Sequence, residues 1–133
     1  MHLIVCIDER DGMSFCGRRL SRDSRVSEHI LALTAGHTLW VHPYSAKLFP
    51  ADAVIADAAF AEKAGEGDFC FAELSVTPDT KKKLESVYLY HWNRAYPATV
   101  KFPRELLDGM YLDATEEFSG NSHETITLER YVL

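Results

Sequence analysis

The segment "HLIVCIDERDGM", residues 2–13, joins an apolar run to a polar stretch, and the arrangement of the whole chain can be read outward from it. Its first half is a run of apolar and β-branched residues that ends at Asp8, which is typical of a strand buried on both faces of a sheet. The second half contains Gly12 and has no periodicity, so we predict a loop over 9–19. Ligands of α/β proteins bind at the carboxyl ends of such strands, so this loop is a candidate ligand-facing segment.

The next segment, residues 21–36, has the pattern of an amphipathic helix. Ser21, Asp23 and Ser24 are the candidate N-cap residues, and Gly36 is suited to end the helix. A helix that directly follows a buried strand and its loop is the beginning of an alternating α/β arrangement.

The remainder of the chain continues this alternation and then changes. Strands are predicted over 37–42, 53–57, 68–74 and 86–93, and short helices over 43–49, 58–65 and 77–86. Two extended segments, 110–118 and 124–133, follow and are joined by the turn-like residues 119–123. The predicted fold class is therefore α/β, with a mixed, mainly parallel sheet flanked by helices and a C-terminal antiparallel hairpin.

Length and composition indicate an ordinary globular chain. The 133 residues are expected to form a single domain, 1–133, with 47% hydrophobic and 26% charged residues. No stretch has the length and hydrophobicity of a membrane helix, and no secretory signal is recognisable. The three cysteines are too few and too irregularly spaced for a disulfide framework or a zinc site. We therefore predict a cytoplasmic protein without a metal.

The charge distribution is uneven. The net charge is −6, so we do not expect the protein to bind extended nucleic acid. Four arginines nevertheless fall within residues 18–25. One hypothesis is an anion clamp made by Arg18, Arg19 and Arg22 together with the N-terminus of the helix. The alternative is a solvated loop in which the arginines pair with nearby acids, namely Asp8, Glu9, Asp11 and Asp23.

Short motifs at both ends of the chain resemble dihydrofolate reductase. They are "LIVCIDERDGM" (3–13), "VYLYH" (87–91), "KFP" (101–103), "NSH" (121–123) and "TLER" (127–130), in the order in which that family carries similar motifs. The resemblance implies a shortened version of that fold. It also implies a carboxylate early in the first helix that binds a pterin, and Asp23 and Glu28 are the acids nearest to that place. The alternative is that Asp23 caps the helix and Glu28 lies on a solvated face.

The same resemblance weakens at the cofactor positions. The family has a proline–tryptophan pair before the first helix, whereas this chain has "GRRLSRD" (17–23). In "VHPYS" (41–45), Ser45 stands where the family has a phosphate-binding threonine, but Pro43 replaces an arginine. Ala72, Glu73 and Leu74 occupy the place of the glycine pair that lets backbone approach a pyrophosphate.

The Glu73 carboxylate is expected to repel phosphate. Two like charges about 4 Å apart repel by about 1 kcal/mol in water and about 4 kcal/mol at a protein surface. The sequence therefore predicts that no cofactor is bound, and in particular not NADPH in the manner of the family.

We predict a ligand pocket between the loop after the first strand, the first helix and the second strand. Its predicted lining is Arg18, Arg19, Arg22, Asp23, Glu28, His42, Tyr44 and Ser45. His42 could serve as a general base, or it could simply begin a turn. The "NSHE" motif (121–124) could hold a catalytic dyad, but turn chemistry explains Asn and Ser there equally well.

The leading hypothesis for function is a dihydrofolate reductase-like domain that binds a small anionic or heterocyclic ligand. The alternatives are an active reductase with altered cofactor binding, or a small phosphoester hydrolase or nuclease that uses His42 and the arginines. Whether the protein is an enzyme, and which residues would be catalytic, stays open. A homodimer is possible by strand addition at Tyr131, Val132 and Leu133.

Overall fold

The structure is a computed structural model that describes residues 1–133. Its strands are β1 His2–Ile7, β2 Gly12–Phe15, β3 Arg18–Arg19, β4 Leu39–Val41, β5 Ile55–Ala56, β6 Phe69–Phe71, β7 Ser86–His91, β8 Val100–Lys101, β9 Tyr111–Phe118 and β10 Ile126–Val132. The α-helices are α1 Ser24–Leu33 and α2 Phe60–Lys63. Short 3-10 helices span Pro43–Leu48, Ala51–Ala53, Pro78–Lys83 and Arg104–Leu107. None of the helices is both long enough and apolar enough to cross a membrane.

Seven strands form one sheet in the order β5-β4-β6-β1-β7-β10-β9. The first five run parallel to one another, and β10 is antiparallel to both β7 and β9. This is the predicted mixed, mainly parallel sheet with a C-terminal antiparallel hairpin, so the predicted fold class is confirmed.

The central strand β1 supplies side chains to both faces of the sheet. Ile4 and Cys6 belong to one core cluster, while Leu3, Val5 and Ile7 belong to the other. All five are at most 8% exposed, as expected for a strand whose successive side chains point to opposite faces. Burial of each large apolar side chain contributes roughly 1.5–3 kcal/mol, so this one strand helps to hold both layers.

Helices cover both faces. Val26 and Ile30 of α1 are buried in the cluster that contains Ile4. On the other face, Ala64 at the end of α2 and Leu106 of the Arg104–Leu107 helix pack in the cluster that contains Val5. The helix predicted over 21–36 is shorter at both ends, because its N-cap is Asp23 and its C-cap is Thr34.

The predicted loop over 9–19 is in part a hairpin. Strands β2 and β3 pair with each other, and β8 pairs with the other edge of β2, which gives a second sheet in the order β3-β2-β8. Cys16 and Gly17 form the two-residue connection, with φ of 48° and 77°. Positive φ at both central residues is the geometry of a type I′ turn, for which Asn-Gly or Asp-Gly is the usual sequence. Because Cys-Gly is not a usual turn sequence, the hairpin could not be recognised from the sequence, and the prediction of a loop was wrong for residues 12–19.

Two predicted helices, 43–49 and 77–86, are short 3-10 helices that begin at Pro43 and Pro78. Both segments are too short to build several α-helical turns, and tighter i→i+3 bonding is common in such connectors. The second also ends earlier than predicted because Ser86 is already paired in β7.

The prediction that residues 131–133 lie at an exposed edge of the sheet, where a second copy could add a strand, was wrong. Tyr131 pairs with Val87 of β7 on one side and with Leu112 of β9 on the other, so β10 is an interior strand. The edge of the sheet is β9, whose residues are almost all exposed. The long 110–118 segment adds outside β10, which removes Tyr131 and Val132 from the edge.

Gly12 is expected to be intolerant of a side chain. A Cβ there would lie 2.7 Å from the Cβ of Ala98 and 2.8 Å from Oδ1 of Asp8. Because neither neighbour can move without displacing backbone or breaking hydrogen bonds, Gly12→Ala should lower the free energy of unfolding by about 1–3 kcal/mol in a urea titration. The control is Gly65→Ala, where the nearest atom is 3.6 Å away. Equal effects of the two substitutions would contradict the prediction.

Candidate functional site

The carboxyl ends of β1, β4 and β6 meet at one edge of the sheet. Phe71 at the end of β6 is in register with Ile4 of β1 and with Val41 of β4. After β1 the chain crosses to β4, and after β6 it crosses to β7 on the opposite side of β1. Such a reversal is a topological switch point, the usual place for a ligand in an open α/β sheet.

Asp8 organises the loop that follows β1. Its carboxylate accepts hydrogen bonds from the backbone N–H groups of Arg10 (2.9 Å), Gly12 (2.6 Å) and Tyr96 (3.0 Å). Burial by itself raises the pKa of Asp8, but these three donors outweigh burial and the pKa is lowered. Asp8 is only 2% exposed and all its contacts are internal, so it is a structural anchor of the site.

A partly buried ion pair lies at the end of β6. The guanidinium of Arg19 donates to both carboxylate oxygens of Glu73, at 2.9 Å from Nε and 3.0 Å from Nη2. The hydroxyl of Ser45 donates to Oε1 of the same carboxylate at 2.7 Å. Glu73 is 8% exposed, so its charge is compensated almost entirely by these two partners.

Tyr44 holds the other side of the Arg19 side chain. The Arg19 guanidinium lies 4.4 Å from the centre of the Tyr44 ring and donates to the Tyr44 carbonyl at 3.2 Å. The hydrogen bond to Glu73 raises the pKa of Arg19, against the lowering effect of burial. The hairpin β2–β3, the turn after β4 and the end of β6 are thereby tied together across the switch point.

A second polar cluster joins the start of α1 to the hairpin loop 119–123. Asp23 caps α1 by accepting from the backbone N–H of Arg25 at 2.8 Å. Its two oxygens also accept from the backbone N–H groups of Asn121 (2.9 Å) and Ser122 (2.8 Å), and Oδ2 lies 3.0 Å from Nδ1 of His123. Burial opposes ionisation, but these donors dominate and lower the pKa of Asp23.

An open groove of about 500 Å³ runs along α1 beside this cluster. Its polar wall includes Arg22 and Glu28, and its apolar wall is made by Leu31, Leu48 and Pro50. Ser24, Ser27, Asn121 and Ser122 complete the lining, together with Asp23. Arg22 and Glu28 are exposed and have no ion-pair partner, so both charges are available to a ligand.

The inner end of the groove is nearly closed. A void of about 10 Å³ lies between Cys6, Phe71 and Trp92, and it shares Arg22 and Asp23 with the groove. A void of this size holds about one water molecule, which is far less than a heterocyclic ring requires. A ring-sized ligand therefore has room in the outer groove and none in the interior of this structure.

The predicted site residues separate into two groups. Arg22, Asp23 and Glu28 line the groove, although the Asp23 carboxylate is fully engaged within the protein. Arg19, Tyr44 and Ser45 form the network around Glu73, and none of the three lines the groove.

Arg18 and His42 lie outside both groups. Arg18 is exposed in the β2–β3 hairpin. His42 accepts from the Tyr44 backbone N–H at 3.0 Å and so begins the 3-10 helix of the turn.

The arginines do not pair with the acids adjacent in sequence. Among Arg18, Arg19, Arg22 and Arg25 the one ion pair is Arg19–Glu73, across 54 positions of sequence. The alternative in which these arginines pair with Asp8, Glu9, Asp11 or Asp23 is therefore wrong. Asp11 pairs instead with Arg104, and Asp8 and Asp23 are satisfied by backbone donors.

Sequence reasoning missed Ser21, Ser122 and His123 as neighbours of the site. His123 is 4% exposed and its ring stacks on Trp92 with 4.7 Å between centroids. The motif "NSHE" was the available signal, but it is also an ordinary turn sequence. The contact between residues 23 and 123 depends on the closing hairpin, which local patterns do not specify.

Comparison with known proteins identifies the fold. No protein-family model matches the chain, and no curated protein matches it by sequence. The sheet order and the layers define an α/β protein with the fold of dihydrofolate reductase. A structure that it resembles is dihydrofolate reductase from Enterococcus faecalis, complexed with NADP(H) and RAB-propyl. The TM-score is 0.71, over 98% of this chain and 94% of that one, with 14% sequence identity. The sequence-based resemblance to this fold is therefore confirmed.

We expect Arg19→Ala to be strongly destabilising. The substitution leaves the Glu73 carboxylate buried with Ser45 as its remaining donor, so the free energy of unfolding should fall by about 3 kcal/mol. Arg18→Ala is the matched control, because Arg18 is adjacent, exposed and without an ion pair. It should change stability by less than about 0.5 kcal/mol in the same denaturant titration. Similar losses in the two variants would show that the ion pair contributes little.

Asp23→Asn should alter how stability depends on pH. The pKa of Asp23 is lower in the folded state than in the unfolded chain. Its contribution is therefore complete well above about pH 4 and is lost as the pH falls below that value. The variant should be less stable than the parent protein by about 1–3 kcal/mol near neutral pH. The difference should narrow in acid, as measured by chemical denaturation at both pH values, and a constant difference would contradict the assignment.

Proposed function

We propose that this protein binds a small anionic or heterocyclic ligand in the groove along α1, and that it does not bind NADPH in the manner of dihydrofolate reductase. The observation that carries the proposal is the contrast between two places at the switch point. The crevice at the end of β6 is filled by the Arg19–Glu73 ion pair. The groove beside α1 is open, with about 500 Å³ of space.

The groove offers complementary chemistry for a ring that bears an acidic group. Arg22 can form charge-assisted hydrogen bonds with a carboxylate or phosphate. Glu28 can accept from the N–H groups of a heterocycle. Leu31 and Leu48 supply an apolar wall on which a ring can lie. A ligand that has both an anionic group and a ring would use all of these features together.

The residues at the crevice do not fit a dinucleotide bound in the family's way. That mode requires backbone N–H groups to approach a pyrophosphate after the strand. Here Glu73 places a buried carboxylate at that position, and Ser45 donates its hydroxyl to this carboxylate. A phosphate would have to displace the guanidinium of Arg19 and then face the Glu73 charge.

The expected partner is a small molecule, since the net charge of −6 disfavours extended nucleic acid. We also infer a cytoplasmic location from the three cysteines, all of which are free thiols. Cys6 is buried, and burial raises the pKa of its thiol well above the usual value. It therefore behaves as an inert core residue rather than a nucleophile.

A thermal-shift and fluorescence titration with NADPH, folates and nucleotide phosphates tests the proposal. A ligand present at a hundredfold excess over its Kd stabilises the fold by about 2.7 kcal/mol, which gives a clear rise in Tm. We expect a rise with a folate or a nucleotide phosphate and none with NADPH. The rise should be lost in Arg22→Ala and retained in Arg18→Ala, because Arg22 lines the groove and Arg18 does not.

Stabilisation by NADPH would contradict the proposal and favour a reductase whose crevice opens by release of Arg19 from Glu73. A shift that persists in Arg22→Ala would place the ligand outside the groove. Absence of a shift with every compound in the panel would also count against the proposed ligand class.

A further inference from the structure

We propose that Ser21, His123 and Asp23 form a catalytic triad for ester or related acyl-group hydrolysis. The three side chains are linked in the order that such chemistry requires. Oγ of Ser21 is 3.1 Å from Nε2 of His123, and Nδ1 of His123 is 3.0 Å from Oδ2 of Asp23. A nucleophile, a general base and an orienting carboxylate joined in this way are recognised by geometry rather than by their order in the chain.

The ionisation of Asp23 determines the tautomer of His123. The lowered pKa of Asp23 keeps it a carboxylate, which can only accept hydrogen bonds. Nδ1 of His123 therefore carries a proton and donates a hydrogen bond to the Asp23 carboxylate. In the neutral imidazole, Nε2 is then an acceptor. The hydroxyls of Ser21 and Tyr96 both lie 3.1 Å from it, and the proposal uses the state in which Ser21 is the donor. This is the arrangement in which the histidine can remove the proton of the serine.

Asp23 positions the His123 ring and is itself fixed by several hydrogen bonds. Backbone N–H groups from both α1 and the 119–123 loop bind its two oxygens, and the hydroxyl of Ser122 adds a further donor at 3.1 Å. A side chain at position 120 would lie 2.7 Å from Oδ2 of Asp23, so Gly120 permits this close approach. A carboxylate with its orientation fixed from two elements can in turn fix the imidazole ring.

His123 is enclosed by an aromatic ring and a carboxylate. Its ring stacks on Trp92 at 4.7 Å, with 27° between the planes, and both residues are almost fully buried. The Asp23 carboxylate stabilises the positive charge on one side, and the face of the indole ring stabilises it on another. No other charged side chain forms an ion pair with His123.

Access to Ser21 is narrow, because the space beside it is only about 10 Å³, so the proposal requires a small acyl group that enters from the groove. Ser21 is partly exposed, and it lines the inner void that shares Arg22 and Asp23 with the open groove. Arg22 follows Ser21 in the chain, is exposed without an ion-pair partner and lines both the void and the groove. In this proposal it is the group that stabilises negative charge on a substrate oxygen. A second hydroxyl, that of Tyr96, is also 3.1 Å from Nε2 of His123 and competes with Ser21 for it.

Hydrolysis of an ester needs only Ser21, His123 and one water molecule as reacting groups. Oγ of Ser21 forms a bond to the carbonyl carbon of an ester while Nε2 of His123 takes the serine proton. The tetrahedral intermediate then loses its alkoxide, which leaves as an alcohol with the proton from His123. Water attacks the acyl-serine by the same route, and the carboxylic acid leaves. The inference goes beyond ligand binding in the groove and does not depend on which ligand binds there.

Reaction with a small alkyl fluorophosphonate, followed by intact mass and peptide mapping, tests the triad. In this reaction the Ser21 oxygen forms a bond to phosphorus, the phosphorus–fluorine bond breaks and fluoride leaves. We expect one adduct on Ser21 of the folded protein, none in Ser21→Ala, and at least a hundredfold slower labelling in His123→Gln. Ser119→Ala, which changes an exposed serine of the same hairpin loop, is the matched control and should label normally.

Each variant is compared at a temperature below its own unfolding transition, so that loss of labelling is not confused with loss of the fold. Labelling of Ser21 that accelerates in Tyr96→Phe would support competition for the same nitrogen. Absence of an adduct on Ser21, an adduct on Tyr96 instead, or equal rates in His123→Gln and the parent protein would each overturn the proposal. Because the probe needs no ligand from the groove, these results are independent of the titration that tests ligand binding.

Discussion

The burial of β1 on both of its faces is the constraint on which the rest of the structure depends. Its side chains alternate between two core clusters, and its hydrogen bonds join β6 on one side to β7 on the other. The carboxyl end of the strand therefore emerges at the middle of the sheet edge. Because Asp8 at this end is buried, its carboxylate has to find hydrogen-bond donors within the protein.

Three buried carboxylates near this end of the sheet are each paired with a different set of hydrogen-bond donors. Asp8 is satisfied by backbone N–H groups, Asp23 by backbone N–H groups and His123, and Glu73 by Arg19 and Ser45. Each arrangement ties together segments that are distant in the chain. Two of the three belong to the candidate site, because Glu73 binds Arg19 at the end of β6 and Asp23 contacts a histidine beside the groove.

The comparison with dihydrofolate reductase shows how little of a site is determined by a fold. The two structures agree over nearly the whole chain at 14% identity, so the layers and the switch point are common to both. The proposed chemistry of this chain depends instead on the side chains at that edge. A carboxylate paired with an arginine at the end of β6, and a serine beside a histidine near the start of α1, are features of this chain's own side chains.

The fold class, the alternation of the main strands and helices, the burial of the first strand and the three candidate caps of the first helix could all be predicted from the sequence. These properties follow from periodicity, capping and turn residues, which act over a few neighbouring positions. The sequence also led to two predictions about the site, a ligand-facing role for the arginine-rich loop and repulsion of phosphate by Glu73.

The tertiary structure alone decided which side chains meet. It paired Arg19 with Glu73 rather than with nearby acids, placed His123 against Asp23 and Ser21, and put β10 inside the sheet instead of at its edge. The physical reason is that each of these contacts joins residues that are many positions apart in the chain. Their partners are selected by strand register and burial, which depend on the packing of the whole sheet rather than on any local pattern of residues.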